Sequence, residues 1–236
     1  MKQRFLKLAI SITLLQFSVL ISKAQNIQLH YDFGRQCATS TIEMFKLDRA
    51  GSTFFFVDMD YKPKVTGAYF EIAREFCFWQ NSKADWLSIH IEYNGGLDIQ
   101  AKSYNNAILP GLTYSGHSKD YRKTWSLSAM YKAIPGTVDA NGNKQVHNFQ
   151  ITGVWTINFA YDWLTFCGFA DFWRECRPWQ GTEYIFVSEP QLWLNFKKIP
   201  KWDDVNLSLG TEVELSANFA GKGFACYPTI ALKYQF

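Results

Sequence analysis

Apart from one run near the N-terminus, the sequence has no apolar stretch approaching the ~20 residues that a membrane-spanning helix needs. A bundle of membrane helices is thereby excluded. Cys-x-x-Cys pairs are also missing. The five cysteines stand apart at Cys37, Cys77, Cys167, Cys176 and Cys226, which supports neither a zinc site nor a thioredoxin-type motif. Their odd number leaves at least one thiol free or linked to another molecule. Cys37 and Cys176 fall in expected loops on one rim, so a disulfide between them stays open. The sequence lacks a Gly-x-Ser-x-Gly elbow, and Leu112-Thr113-Tyr114-Ser115-Gly116 is not one. None of His30, His90, His117 and His147 is tied by a motif to a nucleophile or to metal-ligand spacing. No catalytic residue, metal or cofactor is therefore expected. The one enzymatic alternative is a lipid hydrolase with a Ser–His pair assembled in space on a barrel wall.

An excess of one charge is lacking as well. The formal net charge of +3 comes from the first 24 residues, where Lys2, Arg4, Lys7 and Lys23 meet no acid. The remainder holds 20 basic and 21 acidic residues, so no basic patch points to nucleic acid. The same segment reads as a secretory signal peptide. A basic start is followed by an apolar stretch from Leu8 to Ile21 and by the small exit residues Ser22 and Ala24 around Lys23. The expected division is a signal peptide over 1–24 and an outer-membrane β-barrel over 25–236.

What the chain does have is aromatic residues, 17% of the total, together with a slightly negative mean hydropathy. That pairing fits strands with one face to lipid and one to water. Period-two alternation runs through the mature chain. From Val205 to Asn218, Val205, Leu207, Leu209, Val213 and Leu215 take one face, and Asn206, Ser208, Glu212, Glu214 and Ser216 the other. Twelve strands are expected, at 26–33, 40–47, 52–61, 68–79, 86–94, 105–116, 124–133, 147–159, 163–173, 183–197, 205–218 and 224–236. An even number of ~10-residue strands defines an all-β, antiparallel transmembrane barrel. Five short polar connections would be periplasmic turns. Trp79, Trp86, Trp125, Trp163 and Trp202 sit beside them, as residues of an interfacial girdle would. Within 68–79, placing Glu71 and Glu75 on the water face pushes Arg74 toward lipid, at about 2–4 kcal/mol if it lay mid-membrane.

The last strand places Ile230, Leu232, Tyr234 and Phe236 on one face and stops at Phe. It resembles the C-terminal signal by which outer-membrane barrels engage the barrel-assembly machinery. Two hairpins also look related. Thr53 to Asp58 followed by Tyr69 to Ile72 parallels Thr165 to Asp171 followed by Val187 to Pro190, with a one-residue shift. They lie six strands apart, which suggests a six-plus-six duplication.

Several short motifs carry a family resemblance: Asp162-Trp163, Gly168-Phe169-Ala170-Asp171, Glu189-Pro190, Asn206-Leu207-Ser208-Leu209-Gly210, and Gly51 to Asp58. With these the sequence resembles the Tsx-like family of nucleoside-specific channel-forming proteins. Ala73-Arg74 departs from that pattern, where the family tends to have Pro before Arg. The resemblance implies a twelve-stranded barrel with a narrow lumen that passes nucleosides. It transfers no individual contact residue.

Alternation alone makes the lumen acidic. Its inward set includes Asp32, Glu43, Asp58, Asp60, Glu71, Glu75, Glu92, Asp171, Glu189, Glu212 and Glu214. Lys132 and Lys233 are among the few inward bases, and Phe54, Phe56, Tyr69, Phe169, Trp173, Trp193 and Tyr227 supply rings. Rings can stack on a base and carboxylates can accept hydrogen bonds from ribose or amines, whereas phosphate would be repelled. Asp58, Glu71, Asp171 and Glu189, with Phe56 and Phe169, are the candidate solute-binding residues, because the repeat places the acids in equivalent strands. The expected function is passive uptake of small hydrophilic solutes, nucleosides first, across the outer membrane. The expected partners are outer-membrane lipid, the solute, and the assembly machinery through Phe236. The alternative is a closed structural barrel, which strand number does not exclude.

Overall fold

Each strand sorts its side chains onto two faces, and in this chain the polar face is the enclosed one. The computed structural model describes residues 25–99 and 104–236. The signal peptide expected over 1–24 lies outside them. The described strands are β1 (Gln25–Asp32), β2 (Cys37–Asp48), β3 (Gly51–Tyr61), β4 (Val65–Phe76), β5 (Leu87–Asp98), β6 (Tyr104–His117), β7 (Lys123–Ala133), β8 (His147–Phe159), β9 (Leu164–Arg177), β10 (Thr182–Ser188), β11 (Gln191–Asn195), β12 (Leu207–Ala217) and β13 (Phe224–Gln235). Every pairing is antiparallel between neighbours, and β1 pairs with β13, so the sheet closes on itself.

β10 and β11 are two segments of one barrel strand, which gives twelve positions around the ring. Both pair with β9 and β12 in a single register, Ser188↔Ala170 being followed by Gln191↔Cys167. The uninterrupted strand expected over 183–197 is thus corrected. Pro190 has no N–H for the ladder, and the pairing lapses at Glu189-Pro190. Gly168 lies opposite with φ of +151°, and a Cβ there would stand 2.3 Å from the Glu189 carbonyl oxygen, so only glycine lets the two backbones approach. The strand stops at Asn195, and a 3-10 turn over Phe196–Lys198 follows. β2, β5 and β9 run further toward the outer rim than expected. Gly95-Gly96 reads as a loop, yet Tyr69↔Gly96 and Gly67↔Asp98 hold it in register with β4. Cys37 and Cys176 therefore lie in strands rather than loops, and all five thiols are free.

The outside of the barrel is apolar. In β1, Asn26, Gln28, His30 and Asp32 are buried while Ile27, Leu29 and Tyr31 are exposed. In β5, Ser88, His90, Glu92 and Asn94 are buried while Ile89 and Ile91 are exposed. Such an inverted barrel is stable only where lipid covers the belt and every backbone group is paired within the ring. Trp86, Trp125, Trp163 and Trp202 are exposed at the turn end of the belt, and the Trp79 indole donates to the carbonyls of Ala84 and Leu87 at 2.9 Å. Arg74 does face outward, but at this same end. Its guanidinium is forked onto Asp48 at 2.6 and 2.8 Å and reaches Thr53 Oγ1 at 2.9 Å. The mid-membrane penalty does not arise.

At the opposite rim the connection over 134–146 is ordered by one aspartate. Asp139 accepts from the backbone N–H groups of Asn141 and Asn143 at 2.8 and 2.9 Å and from the Asn143 side chain at 3.0 Å. The Asn143 amide leads these bonds in holding the partly exposed Asp139 carboxyl below the usual aspartate range. A depressed folded value stabilises the loop above the unfolded pKa and is lost as pH falls through the folded one. Amide exchange in 139–145 is therefore expected to stay slow at neutral pH and to accelerate below about pH 4. Equal exchange at pH 6 and pH 3, after correction for intrinsic rates, would contradict this.

Candidate functional site: the barrel lumen

Inward side chains fill part of the lumen and line the rest. Ala107, Leu109 and Met130 on β6 and β7, with Ile134 just past the end of β7, form one buried apolar cluster. Trp173, Ile185 and Val187 form another on β9 and β10, with Phe169 packed against it. Trp193 is fully buried. Its ring lies over Gly210, where a Cβ would come within 2.3 Å of it. Lys233 Nζ stands 3.9 Å above the ring centroid, and His30 meets it edge-on at 6.1 Å.

Between these fillings, the walls formed by β2–β4 and β8–β11 carry partly exposed acids and rings. The four candidate acids all face this space. Asp58 accepts from Thr41 Oγ1 at 2.5 Å, and Asp171 from Thr152 Oγ1 at 2.5 Å. Glu71 accepts from the Tyr69 hydroxyl at 2.6 Å and Asn94 Nδ2 at 3.2 Å. Glu189 alone of the four receives no hydrogen bond or ion pair from any described residue. The four belong to barrel strands 3, 4, 9 and 10, which lie opposite one another in a ring of twelve. Asp171 bears electrostatically on Glu71, and Asp58 on Glu189, across the lumen. Phe56 stands 6.0 Å from Tyr69 and 5.9 Å from Phe54, a short aromatic run along one wall. Phe169 belongs instead to the apolar cluster on the other wall.

Three features escaped the sequence reading. Glu75 gathers donors from Ser88, His90 Nδ1 at 2.6 Å and Thr113 Oγ1 at 2.9 Å. His90 Nε2 turns to Glu92 at 3.2 Å, so its imidazole bridges two carboxylates. Arg35, in the β1–β2 connection, reaches into the mouth to Asp32 at 3.0 Å and to Glu214, and lies 4.3 Å from the Tyr227 ring centroid. Alternation places strand residues only, so nothing in the pattern could have aimed a loop arginine inward. His117 and His147 are occupied elsewhere, stacked on Tyr121 and bonded to Tyr131.

A closed ring of antiparallel strands, apolar outside and lined with acids and rings inside, defines a transmembrane barrel of the outer-membrane kind. The chain belongs to the family described as "Domain of unknown function (DUF5020)", whose model matches residues 24–236. No curated protein matches the chain. Among solved structures it is similar to the NanC porin in a rhombohedral crystal form, with a TM-score of 0.61 at 9% identity, covering 90% of this chain and 100% of that one. It is also similar to LpxR from Salmonella typhimurium (TM-score 0.46, 9% identity, 90% and 99% covered). A third is the outer membrane protein Omp33 of Acinetobacter baumannii (TM-score 0.43, 10% identity, 90% and 96% covered). At such identities the likeness to the porin is one of fold.

Proposed function

We propose that the barrel is an outer-membrane channel for passive entry of small hydrophilic solutes, nucleosides among them. The reading rests on the lumen space between β2–β4 and β8–β11, where Asp58, Glu71, Asp171 and Glu189 meet the Phe54–Phe56–Tyr69 run. Carboxylates there accept hydrogen bonds from hydroxyls and amines, the rings offer stacking faces, and the charge opposes phosphate. Residues 1–24 serve as the secretory leader in this reading, and the strand ending at Phe236 is the segment offered to the assembly machinery. Outer-membrane lipid covers the apolar belt.

A closed structural barrel is the second reading, favoured by the burial of Leu109, Ile134, Ile185 and Trp193 inside the ring. Single-channel recording of the refolded protein in planar bilayers separates the two. The channel reading expects a small conductance that uridine or adenosine lowers saturably and nucleotides lower far less. Steady conductance indifferent to nucleosides would remove the nucleoside part. Silence from folded protein would favour the closed barrel.

A further inference from the structure

Glu189 stands apart from the other inward acids. Glu43 is held by Asn26, Asp58 by Thr41, Asp60 by Thr39, Glu212 by Gln191, and Glu214 by Arg35 and Ser216. No described donor reaches the Glu189 carboxylate, whose side chain points into the barrel among other acids and stays partly exposed there. The common register of β10, β11 and β12 puts Glu189 opposite Glu214, and like charges directly opposite in a sheet repel. Glu212, Asp58 and Glu214 all bear on it electrostatically. Arg35, the cation within range, is already committed to Asp32 and Glu214.

The backbone makes this position special as well. Pro190 interrupts the ladder beside it, and Gly168 admits the close approach that holds the Glu189 N–H on the Phe169 carbonyl at 3.1 Å. A partly exposed carboxylate with no protein donor is left to accept from water or from whatever solute the lumen admits. Among the described residues no three His, Cys, Asp or Glu side chains converge closely enough to hold a metal ion. The donor that fits is the ammonium or guanidinium of a passing solute. Across the lumen, Asp58 can share that cation while the neighbouring Phe56 and Tyr69 rings face its body.

Building on the channel reading, we infer that Glu189 is the residue that sets charge preference in this lumen, favouring organic cations over neutral solutes and anions. The test is the reversal potential of the full mature barrel in bilayers under a potassium chloride gradient, with liposome swelling in arginine and in glutamate. Heat-modifiable gel mobility verifies folding. Wild type is expected to be cation-selective and to admit arginine faster than glutamate. Glu189→Gln should cut the potassium-to-chloride permeability ratio several-fold and erase the arginine preference. Glu189→Asp, which keeps the charge, should retain both. Asp60→Asn, whose carboxylate is already tied to Thr39, should change them less. A conducting Glu189→Gln barrel with unchanged selectivity would overturn the assignment and leave the channel standing. Absence of conductance from folded wild type would overturn both.

Discussion

Trp193→Ala is expected to weaken the folded barrel by about 3–5 kcal/mol and to raise its conductance in the same experiment. The indole is fully enclosed. Its N–H donates to Gln191 Oε1 at 2.8 Å, Lys233 sits over its face and His30 against its edge. The strand partner, Gly210, has no side chain with which to collapse into the gap, so the site can relax little. In the channel reading the ring narrows the path, and alanine would leave the Lys233 ammonium without the face it sits over. Urea titration followed by gel mobility reads the stability, and bilayer recording reads the pore. A large loss of stability with unchanged conductance would show that Trp193 packs the wall without narrowing the path.

A second large effect is expected at the mouth. Arg35→Ala would leave Asp32 and Glu214, whose side chains are 4% and 6% exposed, facing one another without their shared cation. Removing one member of a fully buried constellation costs about 3–5 kcal/mol, and because the Arg35 side chain is itself 40% exposed, solvent screening brings the expected loss to about 1–3 kcal/mol. The guanidinium serves two carboxylates at once, on β1 and β12, and stacks on Tyr227. A lysine cannot reproduce that fork, so Arg35→Lys should recover less than half of the loss. If the loss comes from stranded charge, adding Asp32→Asn and Glu214→Gln to Arg35→Ala should restore most of it. If the triple variant stays as weak as Arg35→Ala, the arginine acts through packing on Tyr227.

These effects involve residues that sequence pattern exposes unequally. Period two gave each strand a face, which is why the inward assignment of Asp58, Glu71, Asp171, Glu189, Lys132, Lys233 and Trp193 agrees with the structure. A one-residue error would have turned an entire strand inside out. Alternation carries no information about partners. That Thr41 serves Asp58, that Asn94 and Tyr69 serve Glu71, and that nothing described serves Glu189 depends on register between strands. Strand ends were the least legible, because Gly95-Gly96 looks like a turn until β4 pairs with it. The break at Pro190 was readable in principle, since proline in mid-strand forfeits a ladder bond. Arg35 was not, because a loop side chain is aimed by tertiary contacts alone.

The seam between β1 and β13 bears on how the molecule is made. Its bonds join the first and last described strands, the Gln235 side chain reaching the Gln25 carbonyl across 210 residues. Loop-closure entropy opposes such a contact more than any hairpin, so it is among the last to form and the route is slow for a protein of this size. Until the seam shuts, both strands carry open backbone edges, which hydrocarbon does not tolerate. Partial barrels are therefore unstable inside the bilayer. Insertion and closure must proceed together, or a helper must pair with the free edges until the final strand arrives.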